Sequence, residues 1–295
     1  MNLPSSSLSI ITAVHNGLTM NQLYWKALTE NTNTPFELII VDNHSTDGSE
    51  VFFSHLAQST VGSEHQVIYL RNEKNQSYPQ SQIQGMQAAR FAIHCFLNND
   101  IWMPPQWELP LIEALRLNSL LVVSPSGQEA QPNQKASDKL KNRWKRAVLL
   151  SKLWAFVLQK SEVDRLWKSL YFMYGDLNCF INPTNESAQS WFHAIKGDAV
   201  VLHRDLLKKV PQIWDPRIEA ADWHLYLLLA SLHEKDGSIP LPRVILSSYV
   251  HHFGRYSARQ SFEPLENTAP FLSIESVWGK TTMERLWWGS KLPAK

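Results

Sequence analysis

Phe96-Leu97-Asn98-Asn99-Asp100 is an apolar run that stops abruptly in two amides and a carboxylate. A buried strand that delivers polar groups to the rim of a sheet reads this way. Asp100 is a hard oxygen ligand of the kind that suits Mg²⁺ or Mn²⁺ held partly by substrate phosphates. Asn98 and Asn99 can hydrogen-bond a sugar or a phosphate without adding charge. The same pentapeptide also fits a strand end capped by turn-forming Asn and Asp. Its company separates the two readings. Three other polar clusters, Thr12 to Asn16, Asp42 to Asp47 and Arg71-Asn72, also follow apolar runs.

The elements that must position these groups follow from periodicity and breakers. Leu8 to Val14, Phe36 to Val41, Val67 to Leu70 and the run ending at Asp100 read as strands. Between them, Leu18 to Glu30, Ser49 to Ser59 and Gln80 to Ala92 read as helices, with His15-Asn16-Gly17, Thr34-Pro35 and Asp47-Gly48 as breaks. Strand alternating with helix predicts an α/β fold, a Rossmann-like, mostly parallel sheet with helices on both faces. Ligands of such sheets sit beyond the carboxyl ends of the strands, where all four polar clusters are expected to converge.

The chain has 295 residues, 44% of them hydrophobic, and a formal net charge of +1. It is long enough for a sizeable core, and nothing in its overall charge steers it toward nucleic acid. The segment Met1 to Ser9 lacks a cationic stretch followed by an apolar core, so no signal peptide is expected. No apolar run is long enough to span a bilayer. Cys95 and Cys179 lack metal-ligand spacing and are expected to be reduced thiols. The expected location is the cytoplasm, with the inner face of the cell membrane left open by a basic helix described below.

Ser9-Ile-Ile-Thr-Ala-Val-His-Asn16, followed by Leu38-Ile-Ile-Val-Asp-Asn-His-Ser-Thr-Asp-Gly-Ser49, resembles the opening of a family 2 glycosyltransferase of the bacterial rhamnosyltransferase-like kind. Leu97-Asn98-Asn99-Asp100 is similar to that family's variant of the DxD motif. The resemblance implies the GT-A fold and transfer of a sugar from a nucleotide donor with inversion. It implies that Thr12, with the backbone around His15 and Asn16, holds the nucleotide, and that Asp42 contacts the base or ribose. Asn43, Arg71, Asn72, Asn98 and Asn99 complete the implied donor rim, and Asp100 holds the divalent metal. The sequence departs from the family where Ala13-Val14-His15-Asn16 replaces the frequent Pro-Val-Tyr-Asn. It keeps only part of a glycine-containing pattern around Asn75 and Gly85.

Pro104-Pro105 precede a helix expected from about Gln106 to Leu117, and Leu120 to Ser124 reads as a buried strand. Pro125 to Ser137 reads as a loop or disordered lid. From Lys135 to Lys160, Asp138 is the one acid among Lys135, Lys139, Lys141, Arg143, Lys145, Arg146, Lys152 and Lys160. Leu140, Trp144, Ala147, Val148, Ser151, Trp154, Ala155 and Leu158 recur there at helical period. A basic amphipathic helix over residues 138–160 either covers the core with a solvated basic face or makes peripheral contact with an anionic membrane. In the resembled family an insertion at this place shapes the acceptor pocket. Expected boundaries are 1–124 for a nucleotide-sugar-binding half, 125–190 for a helical insertion, 191–256 for an acceptor-binding half and 257–295 for a tail.

The second half resembles the family more weakly. Gly197 permits close backbone approach, and Asp198 either contacts the transferred sugar or makes a turn. Asp215 to Asp222 is similar to the stretch in which Glu-Asp opens a helix, with Ala221 in place of the Glu. The resemblance implies Asp222 as the general base, with Glu219 in reserve; Asp222 also fits a helix-capping role. His251 and His252 follow the last expected strand, where the family can place a metal or diphosphate ligand, and imidazole suits Mn²⁺. Arg255 is suited to neutralising a phosphate.

The resemblance implies a glycosyltransferase of hexosyltransferase type, dependent on Mn²⁺ or Mg²⁺. It implies a UDP- or dTDP-sugar donor and a glycan or lipid-linked saccharide acceptor, as in bacterial surface polysaccharide assembly. A sugar-phosphate nucleotidyltransferase would show a Gly-rich basic loop where His15-Asn16-Gly17-Leu18 stands. A non-catalytic nucleotide- or sugar-binding protein on the same fold is the alternative that the missing Glu beside Asp222 leaves open.

Overall fold

The computed structural model describes residues 7–117, 119–184, 189–218, 220–254 and 271–287. Its first part alternates as expected: β1 (Leu8–Val14), α1 (Leu18–Asn31), β2 (Phe36–Asp42), α2 (Ser49–Ser59), β3 (His65–Arg71), α3 (Tyr78–Ala88) and β4 (Ile93–Leu97). These four strands are parallel in the order β3-β2-β1-β4. β2 is buried along its whole length and β1 along nearly all of it. That is why both read as continuous apolar runs rather than alternating ones.

The two helices after β1 and β2 start at glycines in the left-handed region, Gly17 with φ 86° and Gly48 with φ 95°. Few other residues turn a strand into a helix so abruptly. α3 ends before its expected limit because the chain is needed elsewhere. The Arg90 backbone N–H donates to Glu37 Oε1 at 2.7 Å and its Nε to Oε2 at 2.5 Å. The buried Glu37 also accepts from the Ser9 hydroxyl at 2.6 Å, so the residues after Ala88 are fastened to the bottom of the sheet. Gly85 lets α3 lie directly on β1, since a Cβ there would stand 2.3 Å from Cγ2 of Ile11.

The further strands and α-helices of the described residues are β5 (Ile101–Trp102), α4 (Leu109–Leu117), β6 (Val122–Ser126), α5 (Gln134–Val157), α6 (Glu162–Tyr174), β7 (Trp191–His193), β8 (Ala199–His203), α7 (Asp205–Lys209), α8 (Ala221–Asp236), β9 (Arg243–Tyr249), β10 (His251–His252), α9 (Ile274–Trp278) and α10 (Lys280–Leu286). Among the described residues the main sheet has eight strands in the order β3-β2-β1-β4-β8-β6-β9-β7. β8 runs antiparallel between β4 and β6. Its beginning therefore faces the same rim as the ends of β1 to β4, which brings Asp198 to that edge. β9 is parallel to β6 and hands the chain to β10, which pairs antiparallel with β5, His252 opposite Ile101. The Phe253 N–H donates to the Asp100 carbonyl at 2.9 Å.

The segment expected to be a loop or disordered lid, Pro125 to Ser137, is a loop over residues 127–133 and regular structure at its two ends. β6 continues through Ser126, and residues 127–133 form a short connection with Gln128 and Ala130 buried. The Ser137 hydroxyl donates to the Gln128 carbonyl at 2.5 Å, so polar side chains satisfy this loop's backbone from within. On α5 the expected inner face holds: Leu140, Ala147, Ser151 and Ala155 are buried and Trp144, Val148 and Trp154 are partly buried. Leu158 lies past the last turn and is exposed. α5 and α6 form an antiparallel hairpin joined by a Ser151–Ser169 hydroxyl bond of 2.7 Å. Among the described residues, no helix is long and apolar enough to cross a membrane.

Candidate active site

The four polar strand ends meet at one rim, where they are largely bonded to one another. The Thr12 hydroxyl is buried and 2.8 Å from the Tyr24 hydroxyl. His15 Nδ1 lies 2.6 Å from the Asn43 carbonyl oxygen. Asn16 sits at φ 59°, donating its N–H to the Ser45 hydroxyl and accepting from the Thr46 N–H, each at 2.8 Å. Asp42 is fully buried and accepts from the Ser45 N–H at 2.8 Å and from the Tyr69 hydroxyl. The Asn43 side chain bonds Asn72 at 2.8 Å and Ser81 at 2.9 Å. Arg71 pairs with Glu50, and the Asn99 amide donates to Asn21 at 2.7 Å. Asn98 is tied by its N–H to the Asp198 carbonyl at 3.0 Å. The expected donor residues thus build a rigid rim, and Asp42 supports it from below rather than at its surface.

Beside the rim stands a cluster of carboxylates around one imidazole. His252 Nε2 is 3.4 Å from Asp100 Oδ1, and its Nδ1 is 3.6 Å from Asp198 Oδ2 and 3.9 Å from Glu129 Oε1. Burial alone would depress this imidazole, but hydrogen bonds to Asp100 and Glu129 and the charge of Asp198 outweigh it and raise its pKa to about 10. Partial desolvation would raise Glu129, whose side chain is about half exposed, but the hydrogen bond to His252 and the charge of Lys196 reverse that and hold its carboxyl down at about 2. Lys196, itself buried, bonds Asp198 Oδ1.

His251 was expected beside His252 but faces the opposite way, because successive strand residues alternate sides. It is fully buried, 2.8 Å from the Tyr174 hydroxyl and 3.0 Å from Gln128 Nε2, with its ring 4.2 Å from that of Trp144. Burial pushes its pKa down to about 3. Of the two histidines, the structure brings His252 to the carboxylates and leaves His251 in an aromatic core.

Asp222 opens α8 and has Gly197 against it. A Cβ on Gly197 would lie 2.1 Å from Asp222 Oδ2 and 2.6 Å from its Cγ. Burial raises the Asp222 carboxyl to about 6, with Asp198 adding to the rise and the Trp223 N–H opposing it. Asp222 lines a cleft of about 1140 Å³ with Asn98, Glu129, Lys196, Asp198 and His252. The lining also includes the amides Gln131, Asn133 and Gln134, and Trp223 and Trp287. Trp223 and Trp287 are stacked at 4.4 Å. Glu219 and Arg255, two expected site residues, lie outside the described residues.

Sequence reasoning missed Glu129 and Lys196. Glu129 stood in a polar stretch with no periodicity, and only the fold of the 127–133 connection turns it toward His252. Lys196 stood one residue before Gly197 with no motif of its own.

These donors suit a hard or borderline divalent cation. Ligand atoms of Glu129, Asp198 and His252 lie within 4.8 Å of one another. Asp198 Oδ2 is buried and accepts no hydrogen bond. A buried carboxylate oxygen left unbonded costs free energy that a cation would recover. The residues present fit a metal, which His252 would ligate as a neutral ring, so that binding would release the proton its carboxylate neighbours otherwise hold there.

Solved structures place the fold among the GT-A glycosyltransferases. The chain is similar to a mannosyltransferase of Pyrobaculum calidifontis in complex with GDP-mannose and Mn²⁺, with a TM-score of 0.54 and 13% identity over 85% of this chain and 59% of that one. It is similar to TarS of S. aureus in complex with UDP, with a TM-score of 0.50 and 11% identity over 83% and 60%. GalNAc-T7 with UDP, GalNAc and Mn²⁺ gives a TM-score of 0.52 at 11% identity, over 90% of this chain and 45% of that one. The chain thus spans between 45% and 60% of the length of these structures. No curated protein matches the sequence. The model of glycosyl transferase family 2 matches residues 9–180, and the chain belongs to that family.

Proposed function

We propose that the protein transfers a sugar from a UDP- or dTDP-sugar to a hydroxyl of a saccharide, free or lipid-linked, with inversion at the anomeric carbon. The observation that carries this reading is the convergence of Asp222, Asp198, Glu129 and His252 on one cleft, with Asp100 buried behind the His252 ring. With its carboxyl raised to about 6, Asp222 is ionised at neutral pH yet a stronger base than an ordinary aspartate. It takes the proton of the acceptor hydroxyl as that oxygen attacks the anomeric carbon. The bond from that carbon to the diphosphate breaks, and its electron pair leaves with the nucleotide.

Glu129, Asp198 and His252 would hold the divalent cation, with Asp100 against the other nitrogen of the His252 ring. When bound, it supplies Lewis-acid stabilisation of the charge on the departing diphosphate. Lys196 offsets part of the negative charge of Asp198, so several carboxylates can share the site. The bonded rim from Thr12 to Asn99 fixes the loops that orient the nucleotide. The amides and tryptophans that line the cleft suit a saccharide acceptor, offering hydrogen-bonding groups and flat apolar faces.

The test is release of nucleoside diphosphate from a panel of UDP- and dTDP-sugars with Mn²⁺ and mixed saccharide acceptors, with the product anomer read by NMR. Wild type should turn over one donor with inverted product. Asp222→Asn should lose about 10²–10⁴-fold in rate while still binding the nucleotide. Turnover by Asp222→Asn at the wild-type rate, or a retained anomer, would overturn the assignment.

A further inference from the structure

α5 shows two different faces. Its inner face carries Leu140, Ala147, Ser151 and Ala155, buried against the body of the protein. Its outer face is continuous at helical spacing but changes character along its length. The first half presents Lys135, Lys139, Lys145 and Arg146, all exposed. The second half presents Leu149, Leu150, Leu153, Phe156 and Val157, with Phe156 85% and Val157 73% exposed. Lys152 flanks that apolar stretch and Lys160 closes it. Large apolar side chains crowded on one outward face are unusual on a protein that meets only water.

We propose that this face of α5 docks on an anionic lipid bilayer. The apolar second half would enter the boundary between headgroups and acyl chains, while the lysines and arginine of the first half meet headgroup phosphates. Each kind of contact alone is weak, and the helix carries both. The charge pattern disfavours a second copy of the chain as occupant. Asp138 is the one acid among the cations of α5, so two such faces laid together would set like charges side by side. The docking face is also coupled to the cleft, since Asn133, Gln134, Ser137 and Lys141 at the start of the same helix line it. Phe156 lies about 28 Å along the helix axis from Ser137. A bilayer holding the far end of α5 would keep the cleft within reach of an acceptor anchored in the same membrane.

The experiment is co-sedimentation of the full chain with vesicles of mixed phosphatidylglycerol and phosphatidylcholine, and with phosphatidylcholine alone. Wild type should sediment with the mixed vesicles, fail to do so with phosphatidylcholine, and be released by raised salt. Two double variants separate the contributions, Leu153→Ser with Phe156→Ser and Lys145→Glu with Arg146→Glu. Each should weaken partitioning about tenfold or more while keeping wild-type circular dichroism. Absence of binding to the mixed vesicles, or binding that neither double variant alters, would overturn the proposal. So would lipid-free dimerisation in the analytical ultracentrifuge that the serine variant abolishes. No arm requires turnover, so failure here is separable from failure of the transferase reading.

Discussion

Gly197 and Asp222 are in contact so close that a methyl group cannot fit between them: a Cβ on Gly197 would lie 2.1 Å from Asp222 Oδ2 and 3.1 Å from Asp222 Cβ. One belongs to the turn before β8 and the other to the first turn of α8, so the absence of a side chain at 197 sets the position of the carboxylate. Gly197→Ala should push Asp222 off its place by an ångström or so without unfolding the chain. A misplacement of that size in a catalytic group costs about 10²-fold in rate. We expect kcat to fall by that order with the KM for the donor little changed, as measured by steady-state release of nucleoside diphosphate. An unaltered kcat would mean that the carboxylate does not act from this position.

The pH dependence follows from the same carboxylate. Burial raises Asp222 from 3.8 to about 6. The base works only when ionised, so kcat/KM should fall about tenfold per pH unit below about 6. Stability runs the other way. The folded state holds this proton up to about 6 while the unfolded chain releases it near 3.8. The contribution of Asp222 to stability is therefore lost as pH rises across that window. Asp222→Asn removes the cost of a buried charge. In metal-free buffer at pH 8, its melting temperature should exceed that of wild type by a few degrees, while its activity collapses. A lower melting temperature would show that the carboxylate stabilises the fold as a cap.

His251 and His252 show how much of the site was legible and where legibility stopped. The strand ending in two histidines was readable from its β-branched run, and so was its arrival at the rim. Which histidine faces the carboxylates depends on the pairing of β10 with β5, His252 opposite Ile101, and a sequence does not display register. The same limit hid Glu129 and the reversal of β8, both of which depend on partners far along the chain. The parallel half was legible because β1, β2 and β4 are buried nearly throughout and its strands end in polar residues. The resulting expectation is that His252→Ala weakens Mn²⁺ binding, followed by EPR of the free ion, by at least the roughly 10–100-fold that loss of a supporting contact costs at metal sites. His251→Phe should leave Mn²⁺ affinity within a few-fold of wild type and affect melting temperature instead. Equal loss in both variants would place the metal elsewhere.

Asp42 was expected to touch the nucleotide, yet it is fully buried beneath Ser45 and Tyr69. β2 lies between β1 and β3, and a carboxylate at its last residue is covered by the loops that close over it. Asp42→Ala would leave the Ser45 N–H and the Tyr69 hydroxyl without their acceptor. Chemical denaturation should report a loss of about 1–3 kcal/mol. Asp42→Asn keeps an oxygen for the Ser45 N–H and should recover most of that stability. It should also leave the Kd for the nucleotide within about threefold of wild type, less than the roughly tenfold or more expected when a hydrogen bond between a charged group and a ligand is lost. A large loss of nucleotide affinity in Asp42→Asn at unchanged stability would instead mean that the loops open and the carboxylate reaches the ligand directly.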